Sequence, residues 1–444
     1  MIYIRLDKKR SMSIHLHSSL KKHVQRWKQL KILYGIKEVS VTPLLSGAVP
    51  EDKCYLTLDV IRILDIPINT PYEIKFDKNK MIIGPYIGIL AAVTKEILQQ
   101  SIPYLSVYVK NYEKIWGTII AFSLDGIDHE NETITGLMFD PNSNNWIEGI
   151  FPYPRSVFSC VETSLTENWT TYLNTMEHLH QKLGKRIFNY PNFDKWQMYQ
   201  LLKGRLQQYL PKTVIYYEPK DVWKMLKEYP SLYVKPINGR LGKYVLKVTR
   251  ISSGVIVKYG RHSKKVKHFK SWSLFKFYLR RILKEETYLI QQAIDLVKFD
   301  DQIIDFRIIM VKNNQGKWEN IGAFSRYGGK NSIVSNITAG GKAEIGGTTL
   351  KTVFELPIKE MIDLINLIHN LMIDAIAILE EDGYHLGNLG FDIGIDQSGK
   401  VWIIEINNQN PDHYIAVKAN KPIILYQAKL SNILYAKTLS MNFE

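Results

Sequence analysis

Hydrophobic positions change period along this chain of 444 residues. Over residues 1–80, short β-type segments at 1–6, 38–42, 55–58 and 72–76 are separated by turns containing Pro, Gly and Asn. A basic stretch at 18–33 has the spacing of an amphipathic helix. Residues 81–185 mix strand-like segments at 104–110 and 116–122 with a helical period near 169–183. From residue 186 the pattern tightens. Trp196, Tyr199, Leu202 and Leu206 share one side of a helix expected over 195–210, and a shorter helix follows at 221–229. Segments 231–234, 244–248, 288–294 and 304–311 read as strands, and 272–284 as a basic amphipathic helix. Pro357 opens a long apolar-periodic helix over 358–379, one face of which must lie in a core. A hairpin over 391–407 turns at Asp396-Gln397-Ser398-Gly399.

This alternation predicts an α+β chain in three parts: a small β-rich domain over 1–80, an α/β domain over 81–185, and a larger domain over 186–444. Composition is that of an ordinary globular protein, 45% hydrophobic and 23% charged. The longest apolar run, 82–93, is broken by Gly84, Pro85 and Gly88, so no membrane span is expected. Cys54 and Cys160 make neither a disulfide framework nor a metal site, which suits a reducing cytoplasm. The net charge of +15 calls for an acidic partner: ATP, an acidic peptide or protein, nucleic acid or another polyanion. The densest basic run, 258–270, is either a solvated hairpin or a docking surface for an acidic macromolecule. No zinc-finger, RRM or KH signature accompanies it, so nucleic acid is not the expected partner.

Candidate chemistry starts with the hairpin. Glu405 and Asn407 are two apart on a strand and so face one side, and Asp392 lies across the turn. These three are either solvated surface groups or hard oxygen donors for Mg²⁺, with Mn²⁺ as the alternative. Upstream, Lys235-Pro236 leads into Asn238-Gly239 and Gly242. That segment is a tight hairpin tip, a glycine nest for phosphate oxygens, or both. Neither the Walker A nor the Rossmann spacing is present. Between the two lie Gln291-Gln292-Ala293-Ile294 at a strand end, Asp305-Phe306-Arg307, Arg326 before Gly328-Gly329, and Asn336 before Gly340-Gly341. Arginine forks suit phosphoryl oxygens, although Asp305 and Arg307 could equally be a simple ion pair. His385 and His413 flank the hairpin, as structural groups or as groups that orient substrate.

The order of these elements resembles the ATP-grasp superfamily across about residues 186–416. More narrowly it resembles the YheC/YheD-type endospore coat-associated proteins of spore-forming bacteria, a likeness that extends upstream to IIGPYIGIL and FNYPNFDKW. The resemblance implies a fold in which two α+β subdomains clasp ATP, with a lid subdomain over about 212–295. An α/β pre-grasp domain and the small β-rich domain would precede it. It implies an ATP-dependent carboxylate–amine ligase that works through an acyl phosphate and releases ADP. The alternative is a spore-coat structural or assembly protein that keeps an ATP-binding fold. Lys195 and Lys235 would be the two nucleotide lysines, with Asn238, Gly239 and Gly242 in the flexible lid over the nucleotide. Gln291, Gln292 and Ile294 would form the adenine hinge, and Asp305 would lie beside the nucleotide. Arg307 and Arg326 would stabilise the transferred phosphoryl group. Asp392, Glu405 and Asn407 would hold Mg²⁺, with Asn336 nearby. The chain departs from the family pattern at Asn408-Gln409-Asn410-Pro411, where Ser-Lys-Pro is expected, and at Asn388, where an acid is common. Both departures bear on acceptor recognition. The expected partners are ATP, a carboxylate donor and an amine acceptor, in the cytoplasm or at the endospore coat.

Overall fold

The structure is a computed structural model that describes residues 1–8, 11–24, 26–161, 169–239, 244–259, 266–283, 287–330, 332–335, 341–411 and 413–443. Seven strands close into a barrel: β1 (Ile2–Asp7), β2 (Ser13–His17), β3 (Leu30–Tyr34), β4 (Lys37–Ser46), β5 (Lys53–Thr57), β6 (Pro71–Asp77) and β7 (Lys80–Gly84), in the order β1-β5-β2-β4-β3-β7-β6. Closure leaves no sheet edge. The helix expected over 18–33 is not formed. Only α1 (Lys21–Val24) and the short 3₁₀ turn before it are helical. Leu30, Ile32 and Tyr34 are buried while Lys31 and Leu33 are only half-buried, and that period of two seats the segment between β4 and β7.

The second sheet runs β11-β10-β9-β8-β12-β13, with β8 (Tyr86–Ala92), β9 (Thr118–Asp128), β10 (Thr133–Asp140), β11 (Asn145–Pro152), β12 (Ser156–Ser159) and β13 (Ile187–Phe188). Its β8, β9, β12 and β13 pair in parallel. α2 (Leu58–Leu64), α3 (Lys95–Gln100), α4 (Ile102–Val109) and α5 (Trp169–Leu183) belong to this half of the chain. The strand expected at 104–110 is the helix α4. Leu105, Tyr108 and Val109, at spacings of three and four, put one apolar face into a core while Tyr104 stays 75% exposed. Tertiary burial overrode the β-prone Tyr and Val residues there.

The third sheet is wholly antiparallel, β14-β19-β15-β16-β17-β18. It comprises β14 (Thr213–Tyr216), β15 (Ser231–Pro236), β16 (Leu246–Ile251), β17 (Gly254–Tyr259), β18 (Val266–Phe269) and β19 (Tyr288–Gln292). α6 (Lys195–Leu206) precedes it. α7 (Pro219–Glu228) and α8 (Trp272–Ile282) bury Val222, Met225, Leu226, Phe275 and Leu279 against one of its faces. The fourth sheet, also antiparallel, runs β23-β22-β21-β24-β25, with the short β20 (Lys298–Phe299) paired to β21. Its other strands are β21 (Gln302–Lys312), β22 (Trp318–Tyr327), β23 (Lys342–Ile345), β24 (Asn388–Ile395) and β25 (Val401–Asn407). α9 (Gly346–Thr352) and α10 (Ile358–Glu381) lie against it, and α11 (Ile415–Lys418) and α12 (Pro422–Ser440) end the chain.

α10 is long and apolar enough, by length and composition, to cross a membrane. Lys359, Glu360, Asp363 and Asp374 interrupt it, so it is not an unbroken apolar run. Ile368, Leu371, Met372, Ala375 and Leu379 sit in the core shared with α6 and the fourth sheet, as in the core helix of a globular domain. α12 was not anticipated at all. Ser156 donates to the Ala436 carbonyl, the Tyr86 N–H donates to Ser440, and Lys437 pairs with Glu73. The last helix therefore fastens the two N-terminal sheets to the C-terminal one.

Candidate active site

The third and fourth sheets face one another, and alternation decides what each presents. On β15, Leu232 and Val234 enter the core beneath α7 and α8, so Tyr233 and Lys235 point across the cleft. The Lys235 ammonium donates to Gln291 Oε1 at 2.8 Å, and Gln291 Nε2 donates to Thr213 Oγ1 at 3.0 Å. Burial, with Lys195 as a second cause, pushes Lys235 down to about 8, while Glu405 and Asp392 pull it back up. Gln291 thus serves as a side-chain support for the lysine. The N–H groups of Gln292 and Ala293 are taken by the carbonyls of Lys212 and Ser231, and Ile294 follows, half-buried.

Lys195 is the first residue of α6. Asp194 caps that helix, accepting from the N–H groups of Trp196 and Gln197, while Gln197 Oε1 accepts from the Asp194 N–H. A cation at a helix N-terminus opposes the helix dipole, so its placement serves something else. Its ammonium donates to the carbonyls of Ile237 at 3.2 Å and Gly239 at 2.6 Å, and lies 3.6 Å from Glu405 Oε1. Asn238 and Gly239 form the tip after β15. Gly242 and Asn336 lie outside the described residues.

On the fourth sheet the register brings the charged groups together. Arg307 lies opposite Asp392, Asp392 opposite Glu405, and Asp305 opposite Arg326. Arg307 donates from Nε to Asp392 Oδ1 at 2.5 Å. Arg326 grips Asp305 through Nε at 2.7 Å and Nη2 at 2.6 Å, and reaches Asp392 Oδ2 at 3.1 Å. Ser335 also donates to Asp305. The simple Asp305–Arg307 pair is therefore not the arrangement formed: each arginine takes a partner on a neighbouring strand. Burial opposes the charge on Asp392, yet Arg307 and Arg326 outweigh it and hold the carboxyl below its usual range. Arg326, likewise buried, is held above its ordinary value by Asp305 and Asp392.

Asn407 donates through Nδ2 to the Gly390 carbonyl at 3.3 Å, which orients the amide and leaves its oxygen as a hard donor. The carboxylates of Asp392 and Glu405 at paired positions add hard oxygens of the kind Mg²⁺ takes, with Asp392 held by Arg307 and Arg326 and Glu405 beside Lys195. Among the described residues no three His, Cys, Asp or Glu side chains converge on one point.

Beyond Asn407 the chain folds back over β24. A Cβ at Gly390 would lie 3.1 Å from Pro411 Cβ and 3.3 Å from the Arg307 guanidinium, so glycine is what permits that approach. His413 Nε2 donates to Asn388 Oδ1 at 2.6 Å, and burial holds this imidazole neutral, well below its ordinary pKa. Asn388 Nδ2, Asn408 Nδ2 and His413 Nδ1 are buried without a protein partner. His385 is a tie: Nδ1 donates to the Ile187 carbonyl at 2.8 Å and Nε2 accepts from Tyr435 at 2.7 Å. Sequence reasoning missed Thr213, Ser335 and the Asn388–His413 pair, because each partner lies 25 to 78 positions away and no local spacing marks it.

A family model described as YheC/D-like ATP-grasp matches residues 184–439, more than half of the chain. The chain belongs to that family. It is 28% identical over 450 residues to the endospore coat-associated protein YheD of Bacillus subtilis (strain 168), spanning 98% of this chain and 96% of that one. YheC of the same organism, also named an endospore coat-associated protein, is 26% identical over 187 residues, or 41% of this chain and 50% of that one. Among solved structures, D-cycloserine synthetase DcsG superposes with a TM-score of 0.47 and 12% identity, covering 78% of this chain and 100% of that one. For an ATP-grasp member, the two facing sheets are the two halves of the clasp, and the charged groups described here line it.

Proposed function

We propose that the chain is an ATP-dependent ligase that joins a carboxylate to an amine through an acyl phosphate. The observation that carries this reading is the convergence across one cleft of Lys195 and Lys235 with Glu405, Asp392, Arg307 and Arg326. Lys235, fixed by Gln291, would bind α/β-phosphate oxygens, and Lys195 would meet the same group from the helix side. Mg²⁺, held by Asp392, Glu405 and Asn407, would neutralise phosphate charge. Arg307 and Arg326 would steady the transferring phosphoryl oxygens. The donor carboxylate oxygen attacks the γ-phosphorus, the bond to the β-phosphate oxygen breaks, and ADP leaves. An amine then attacks the acyl carbon, expelling phosphate and losing a proton. No enzyme nucleophile is needed, and closing the clasp excludes the water that would hydrolyse the acyl phosphate.

The substrate class in this reading is an amino acid, peptide or protein, with an acidic polypeptide favoured by the net charge of +15. The test incubates the full chain with ATP, Mg²⁺ and candidate carboxylates, with hydroxylamine in place of the amine. Hydroxamate formation together with ADP release, both lost in Lys235→Gln, is the expected outcome. Absence of nucleotide binding, or of ADP release with every carboxylate, would sink the reading.

The names of YheD and YheC favour a second reading, a role in assembling the endospore coat from a cytoplasmic pool. In a spore-forming host, Glu405→Ala separates the two. Normal coat localisation and spore properties with ADP release abolished would favour assembly over catalysis.

A further inference from the structure

The face of the third sheet that looks into the cleft does not end at Lys235. One row of register partners crosses four strands: Gln291 on β19, Tyr233 on β15, Lys247 on β16 and Lys258 on β17. Leu246, Val248, Val255 and Val257 fill the core under α7 and α8, so Lys247 and Lys258 emerge on the cleft side. Both are lysines and they are direct cross-strand partners, an arrangement that destabilises a bare sheet. Lys247 is half-buried, with its ammonium 5.7 Å from the Tyr233 ring centre. Lys298 on β20 adds a third positive charge from the fourth sheet. The acid facing this group is Asp295, 75% exposed and 3.5 Å from Lys298. Burial and then Lys298 hold Lys247 below its ordinary range. Asp295 pulls it up and Lys258 pushes it further down.

Among the described residues the cluster thus sets three lysines against the exposed Asp295, and it is separate from the phosphate-facing lysines. Tyr233 lies two residues from Lys235, about 7 Å along the strand, and Lys258 is two strands further out at ~5 Å each. From β15 to the edge strand β18 the cleft wall spans roughly 14 Å, the length of about four extended residues. Of the basic run 258–270, Lys258 belongs to this surface and Lys267 does not. Lys267 points to the other face, over the Tyr278 ring at 4.6 Å, and residues 260–265 lie outside the described set.

We propose that Lys247, Lys258 and Lys298 form a docking wall for the carboxylates of an extended acidic polypeptide, which passes along the cleft face of the third sheet towards the reacting centre. This inference rests on the ligase reading for what happens to the polypeptide, but not for whether it binds. The probe is fluorescein-labelled deca-glutamate, read by anisotropy against the full-length protein at 50 and 200 mM salt. Binding is expected to weaken with salt. In Lys247→Gln/Lys258→Gln it should fall tenfold or more, and Lys267→Gln should leave it unchanged. Affinity for a non-hydrolysable ATP analogue should stay within twofold in the double variant, whose lysines lie outside the phosphate site.

Several results would overturn the proposal. One is no binding of deca-glutamate by the wild type. Others are equal losses in the double variant and Lys267→Gln, or no loss in the double variant. A fall in nucleotide affinity alone would assign the wall to ATP, and preference for single-stranded oligo-dT would assign it to nucleic acid. Patch-dependent binding of deca-glutamate without hydroxamate or ADP formation would leave the docking wall standing while the ligase reading fails.

Discussion

Burial holds the Lys235 ammonium at about 8, where an exposed lysine titrates near 10.4. Phosphate oxygens favour the charged form, so binding of a nucleotide must carry a proton onto this residue once the pH exceeds 8. Affinity for an ATP analogue should therefore fall by roughly tenfold between pH 7 and pH 9. Lys235→Arg, charged throughout, should bind with a flat profile over that range in the same titration. Asp392 belongs to the same scale. It neutralises Arg307 and shares Arg326 with Asp305 in a buried site, and Asp392→Asn takes the facing carboxylate from Arg307 while Arg326 keeps Asp305. Loss of about 3–5 kcal/mol in chemical denaturation is expected, alongside loss of turnover. Which acid pairs with which arginine was not legible locally. D-x-R suggested an Asp305–Arg307 pair, whereas strand register assigns Asp305 to Arg326 and Arg307 to Asp392.

At the scale of the element, the acid hairpin and the chain that follows act as one device. β25 delivers Glu405 and Asn407, and the return over β24 needs Gly390 beneath Pro411. Gly390→Ala would force a Cβ into contacts of 3.1 and 3.3 Å with Pro411 and Arg307. We expect a penalty of about 1–3 kcal/mol and a marked fall in kcat, with nucleotide affinity little changed because Lys195 and Lys235 lie on other elements. Hairpins and long periodic helices were readable because their signals are local. The segments 18–33 and 104–110 were misread for the complementary reason. In the first, strand partners on both sides selected period two. In the second, a core selected the helical face of Leu105, Tyr108 and Val109.

For the whole molecule, His385 reports how the parts are joined. It links the Ile187 carbonyl of the second sheet to Tyr435 of α12, and burial lowers it to about 4. An unfolded chain binds this proton near pH 6.5 and the folded one does not until about 4. The neutral imidazole's contribution is thus complete above 6.5 and lost as the pH falls towards 4. Thermal unfolding of the wild type should lose up to about 3 kcal/mol across that window. The same scan of His385→Gln should lack that component.

Period, turn chemistry and the order of charged residues determined most strands and helices of the C-terminal half, its family likeness and the residues that carry charge into the cleft. These are properties of short segments, in which each side chain's direction follows from the backbone's repeat. Closure of the barrel, the role of α12, the exchange of partners among Asp305, Arg307, Arg326 and Asp392, and the lysine row on the third sheet were decided only by tertiary structure. Each depends on which strands lie side by side. Register between segments far apart in sequence is set by burial of the whole core, which no local spacing records.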